Sequence, residues 1–241
     1  MPTIHPTTFV RDGRLIIKGK DFYPLAGISN SHTVFCNESG QYSEFISDRY
    51  DFNNPDQVGD VGADLVLVGD SFTHGACVNT GKDIAGHIRS YTNKNVVNLG
   101  YSGNGPLLEL ASLKEYASTI KPKHVFWLYY EGNDLVGQYD SDLQLEMRSA
   151  TIFNYLKGDL SQDLINKQEE IDIELKKMVG NKINLKSSDF TRLLRLVNLR
   201  KALNLDFSEY KDTIKKVNLA NKKIFLEILH KANKIKNLYK I

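Results

Sequence analysis

Three apolar runs that each stop at a glycine-rich polar turn constrain this chain more than any other feature. They are ADLVLVG (63–69), NVVNLG (95–100) and KHVFWLYY (123–130). A strand that is apolar at successive positions is covered on both faces, which is the habit of parallel sheets. Helical periodicity lies between the runs, so the pattern implies an α/β architecture: a parallel sheet inside a three-layer α/β/α sandwich. All three runs are far shorter than the roughly 20 residues a membrane span needs. The chain has 241 residues, a size that one doubly wound domain reaches with a single core.

The flanking regions read differently. FVRDGRLIIKG (9–19) looks like two short strands around an Asp12-Gly13 turn. Residues 29–60 are dense in Asp, Asn, Pro and Gly and read as loop. The organisation expected is therefore a β/loop extension over 1–60 and an α/β domain over 61–241. Within the latter, 136–206 is polar and helical without a strand-like run, an inserted cap. Lys211 to Lys236 reads as an amphipathic helix with Ile214, Val217, Ile224, Phe225 and Ile228 on one stripe and Asn221 interrupting it. Three strands are few for such a sheet, and the expectation is that its last strands are missing from the chain.

Charge and cysteine content narrow the partners. The chain carries 31 basic and 29 acidic residues, for a net charge of +2. Residues 200–241 hold 11 Lys/Arg against 4 Asp/Glu, but lysines alternating with apolar residues describe the wet face of a helix better than a nucleic-acid surface. No nucleic acid, membrane span, metal or cofactor is expected. Cys36 and Cys77 are too few for a disulfide framework and read as small buried apolar residues. The N-terminus lacks the basic and apolar regions of a secretory leader, so the default compartment is the cytoplasm, with an extracytoplasmic location the alternative where a leader has been removed.

Chemistry belongs at the carboxyl ends of parallel strands, where helix N-termini offer N–H donors. The three runs end in GDSFTHG (69–75), NLGYSGNG (98–105) and EGND (131–134). Ser71 at a strand-to-helix turn suits a nucleophile, and the Ser71 N–H, Gly103 N–H and Asn133 amide suit an oxyanion. Gly103 has no Cβ to obstruct a substrate. Asp70, Tyr101 and Asn104 stand beside these groups as candidate substrate contacts, with Tyr139 a further candidate wall. As metal ligands Asp70 and Asp134 are less apt than as capping groups. G-x-x-G-x-G in the second block is not a dinucleotide fingerprint.

GDSFTHG, NLGYSGNG and EGND resemble the first three blocks of the SGNH (GDSL-type) hydrolase family. That resemblance, over about residues 63–135, implies a flavodoxin-like sandwich. It also implies Ser71 as nucleophile and Gly103 and Asn133 as oxyanion donors. The substrates implied are short-chain acyl esters, O-acetyl groups on sugars or polysaccharide among them, since the SDRY and FNNP segments before the first block are similar to those of bacterial members with such substrates. The departure is the fourth block. No D-x-x-H occurs in the 241 residues, and a serine without a base is a poor nucleophile. His74 would have to fold back over its own helix to serve Ser71, so a capping or rim position is expected. Glu227 and His230 share a helix face on the outside of the terminal helix, and His5, His32, His87 and His124 lack an acidic partner three residues before them. The alternative function is an inactive module of the same fold that binds glycan in the crevice; a nucleotide-binding flavodoxin-like domain is a third reading.

Overall fold

The computed structural model describes residues 15–36, 41–136, 140–184 and 219–239. At its centre lie three parallel strands, Leu65–Gly69 (β5), Val96–Asn98 (β6) and His124–Leu128 (β7), in the order β6-β5-β7. Leu65 pairs with Val96 on one side and His124 on the other, and Gly69 pairs with Leu128, so the carboxyl ends of the three strands share one edge. Every residue of β5 and β6 is buried, as unbroken apolar runs require.

The two faces of β5 are filled by different groups. Val66 and Val68 join Leu107, Leu108 and Ala111 of the helix Pro106–Ile120. Leu65 and Leu67 join Ala85 and Val96, with Ile88 packed alongside. The helices start where their sequences provide caps. Asp70 caps the single turn Ser71–His74 (α1) through the Phe72 N–H, and Asp83 caps Ile84–Thr92 (α2) through the Gly86 N–H. Pro106 opens the 15-residue helix to Ile120 (α3) at a position that has no use for its missing N–H. Beyond β7 come the turn Glu131–Asp134 (α4) and three helices, Asp142–Glu146 (α5), Ala150–Lys157 (α6) and Leu164–Asn184 (α7). The rest of the expected cap segment, from 185 to 206, lies outside the described residues, as do Ile214 and Val217.

The terminal helix Leu219–Tyr239 (α8) buries Ile228 and Ile235. Asn221, read as a break in its stripe, is 3% exposed and donates to the Leu135 carbonyl and to Ser141 Oγ at 3.0 and 3.2 Å. A polar group is tolerated on that face because its donors are matched. No helix among the described residues is long and apolar enough to cross a membrane.

A hairpin joins Leu15–Ile17 (β1) to Lys20–Phe22 (β2) through Lys18 and Gly19 at φ 50° and 76°. Two consecutive positive φ values make the primed turn that suits strand twist; the Asp12-Gly13 turn expected before it lies outside the described residues. Three expectations need correction. Residues 29–60 contain a second hairpin, His32–Val34 (β3) with Glu44–Ile46 (β4), three residues a strand and too short to show periodicity. Cys36 and Cys77 are half-buried and joined in a disulfide with Cα atoms 4.7 Å apart, within the normal range. β7 is less enclosed than its apolar sequence suggests: Phe126 is 55% exposed, because among the described residues β7 is the last strand on its side of the sheet.

Candidate active site

The loops that leave β5, β6 and β7 are held together by backbone approach. Tyr101 N–H donates to the Gly69 carbonyl at 3.1 Å, carrying the second loop back to the end of β5. A Cβ on Gly69 would lie 2.8 Å from the Leu128 carbonyl, and one on Gly100 would lie 2.5 Å from Thr73 Cβ and 2.6 Å from the His74 nitrogen. All three distances are too short for a real methyl, so glycine is what lets the second loop press against α1. The third loop reaches the first through Asn133 Nδ2, which donates to Asp70 Oδ2 at 3.4 Å. Ser71 and Asn133 are half-buried and Gly103 is exposed at φ 84°, the left-handed region that favours glycine.

The surrounding candidates sit differently from their sequence reading. Asp70 is 2% exposed and spends one oxygen on the Phe72 N–H, so it caps α1 and steadies Asn133 and is not open to solvent. Tyr101, expected as a substrate wall, is fully buried: its ring stacks on His74 and its hydroxyl donates to Asp51 Oδ2 at 2.9 Å. Asn104 is also fully buried, with no hydrogen-bond partner on either amide atom among the described residues. Tyr139 lies outside the described residues. The exposed aromatics at the rim are Phe72 and Tyr130, 62% and 49% exposed and edge-to-face at 5.3 Å. A Cβ on Gly132 would lie 2.7 Å from the Tyr130 ring, so the glycine of EGND gives that ring its seat.

Beneath the rim lies an acidic layer. Glu109 and Asp134 are fully buried, and Glu146 is 2% exposed. Burial pushes Asp134 up to about 7 and Asp142 up to about 6, the charge of Asp70 adding to both. Burial, followed by the charge of Asp134, holds Glu109 well above the usual carboxylate range. Glu109 accepts the indole N–H of Trp127. Glu146 accepts the N–H groups of Gly105 at 2.6 Å and Leu107 at 2.9 Å, standing in as a cap for α3; burial still lifts it to about 8. Glu109 Oε1, Asp134 Oδ1 and Ser112 Oγ have no hydrogen-bond partner among the described residues. Among the described residues no group of three or more His, Cys, Asp or Glu is arranged to hold a metal ion.

A second layer, built from Asn residues of the loop before β5 and the end of β6, holds α1 from behind. Asn98 Nδ2 donates to the Thr73 carbonyl at 2.6 Å and its Oδ1 accepts the Gly100 N–H at 2.8 Å. Asn53 Nδ2 donates to the His74 carbonyl at 2.9 Å, and Asn54 bridges Asp48 and both backbone groups of Asn98. The available signal was the Asn-Asn pair inside a loop, where buried amides with both polarities are the natural cross-braces. His74 is 1% exposed, not a rim residue. Glu227 forms an ion pair with Lys157 on the outer surface, apart from the rim loops.

Comparison with known proteins adds no relative. No family model matches the chain, and no curated protein or solved structure matches it. A hollow of about 250 Å³ between β7 and α8 is lined by Leu113, Val125, Trp127, Ala232 and Ile235, with Lys123, His124 and Asn233 also on its wall.

Proposed function

We propose that this chain is a serine ester hydrolase of the SGNH type, built on a flavodoxin-like three-layer α/β/α sandwich. Ser71 Oγ attacks an ester carbonyl and the alcohol departs, leaving an acyl-serine that water hydrolyses. The Ser71 N–H, the Gly103 N–H and the Asn133 amide take the developing oxyanion. The observation that carries the reading is the convergence of the three strand-end loops on one sheet edge, fastened by the Tyr101–Gly69 and Asn133–Asp70 contacts. The separate filling of the two faces of β5 supports the sandwich. Acyl esters of small molecules or of carbohydrates are the proposed substrates, and no cofactor enters the reaction. The disulfide between Cys36 and Cys77 favours an oxidising compartment over the cytoplasm that the sequence suggested.

The proton that leaves Ser71 has no D-x-x-H to receive it in these 241 residues. Loss of the histidine from a serine constellation costs on the order of 10⁶ in turnover, so ester hydrolysis by this chain is expected to be slow. Labelling by a fluorophosphonate tests the nucleophile directly. Wild type should label, Ser71→Ala should not, and Asn133→Ala should label on the order of 10²-fold more slowly, the usual cost of one oxyanion donor. Labelling that survives Ser71→Ala refutes the assignment. The absent fourth block favours a second reading, a non-catalytic module that binds glycan at the same edge; saturable oligosaccharide binding without turnover would select it.

A further inference from the structure

Two donors on separate loops can address one oxygen only if the loops keep a fixed distance. His74 closes the turn of α1 that begins at Ser71. Its Nδ1 accepts the Ser102 N–H at 3.2 Å and stands 2.9 Å from Ser102 Oγ. A backbone N–H can only donate, so Nδ1 bears a lone pair and a neutral ring carries its proton on Nε2. The ring itself is caged. It stacks on Tyr101 at 5.0 Å with planes 12° apart, and Phe35 and Phe45 flank it at 5.5 and 5.4 Å.

We propose that His74 is a positioning residue that fastens the loop presenting the Gly103 N–H to the helix presenting Ser71. The inference rests on the Ser71 reading above. Gly103 sits at φ 84° with no side chain to anchor it, so its peptide is aimed by its neighbours. Ser102, immediately before it, has its N–H and hydroxyl on one imidazole nitrogen. Gly100 makes the same loop touch α1 at its other end. His74 thus acts through Ser102 and not on substrate: Nδ1 is committed to the neighbouring loop.

The full chain tests this through the rate of fluorophosphonate labelling at Ser71, with the modified peptide identified by mass spectrometry. His74→Phe keeps a ring in the cage and removes the acceptor, and it should slow labelling on the order of 10-fold, the effect of one lost hydrogen bond. His74→Asn sets an amide oxygen near the place of Nδ1 and should recover most of that rate; Ser102→Ala loses one of two contacts and should fall between. His74→Phe labelling at the wild-type rate, or His74→Asn as slow as His74→Phe, overturns the proposal. Nitrogen NMR of the wild type supplies a readout independent of any variant: Nδ1 unprotonated and Nε2 protonated is expected at pH 7, and a proton on Nδ1 refutes the link. If the wild type does not label, amide exchange decides. Faster exchange over 100–104 in His74→Phe, with the N-terminal hairpins unchanged, upholds the link, and unchanged exchange defeats it. Labelling lost in Ser71→Ala together with unaffected His74 variants removes the positioning role alone. Labelling kept in Ser71→Ala but lost in Ser102→Ala would instead make Ser102 and His74 a nucleophile and base, and would remove both.

Discussion

Reduction of the disulfide between Cys36 and Cys77 is the perturbation whose size follows most directly from the structure. The bond closes a loop with a sequence separation of 41 residues. Chain-entropy theory assigns such a closure about 4 kcal/mol at 25 °C, from restriction of the unfolded chain. For a domain of this size each kcal/mol moves the melting temperature by roughly 2–4 °C, so reduction should lower it by about 8–16 °C. Thermal unfolding with and without a phosphine reductant measures the difference, with mass spectrometry to confirm the gain of two hydrogens on reduction. The paired Cys36→Ala and Cys77→Ala variant should behave as the reduced protein and be indifferent to reductant. Phe35, the residue before Cys36, packs on His74, so reduction should also slow labelling at Ser71. A melting shift below about 2 °C, under about 1 kcal/mol on the same scale, would refute the reasoning.

Two further perturbations probe the layers behind the rim. Burial raises Asp51 to about 7, so the folded chain keeps a proton that the unfolded chain releases near pH 4. Its contribution is complete below about pH 4 and is lost by about 1.4 kcal/mol per pH unit as pH rises to about 7. Asp51→Asn removes that titration, and denaturant unfolding should show the variant losing less stability than wild type between pH 5 and pH 7; parallel curves would contradict this. Gly100→Ala forces a methyl against Thr73 and His74, which should cost about 1–3 kcal/mol and slow Ser71 labelling, both checked on one preparation by calorimetry and labelling kinetics.

What was legible in the sequence was what solvent exclusion writes plainly. Leu65–Gly69 and Val96–Asn98 are buried at every position, so their apolar runs announced strands covered on both sides. Lys123–Tyr130 announced the same and was only half right, because a sequence does not state which strand ends a sheet. The Lys18-Gly19 turn was hidden behind the stronger Asp12-Gly13 signal, and strands of three residues left β3 and β4 without a period to detect. The cysteine pair depends on the meeting of two loops 41 residues apart, which spacing alone does not encode. Tyr101 and His74 look like rim residues in a motif but point inward, where one finds Asp51 and the other Ser102. The Asn53, Asn54 and Asn98 braces were legible as polar residues and illegible as a network, since their partners on α1 and β6 lie 21 to 44 residues away in the chain.

Trp127, the only tryptophan in the chain, gives its indole N–H to Glu109, the buried acid that the charges of Asp134 and then Glu146 oppose most directly. The molecule therefore carries an optical gauge at the base of its acidic layer. Any event at the rim that moves charge or water towards Glu109 should alter the emission of a single, unambiguous fluorophore, and ligands that make no colour of their own could be titrated by watching it.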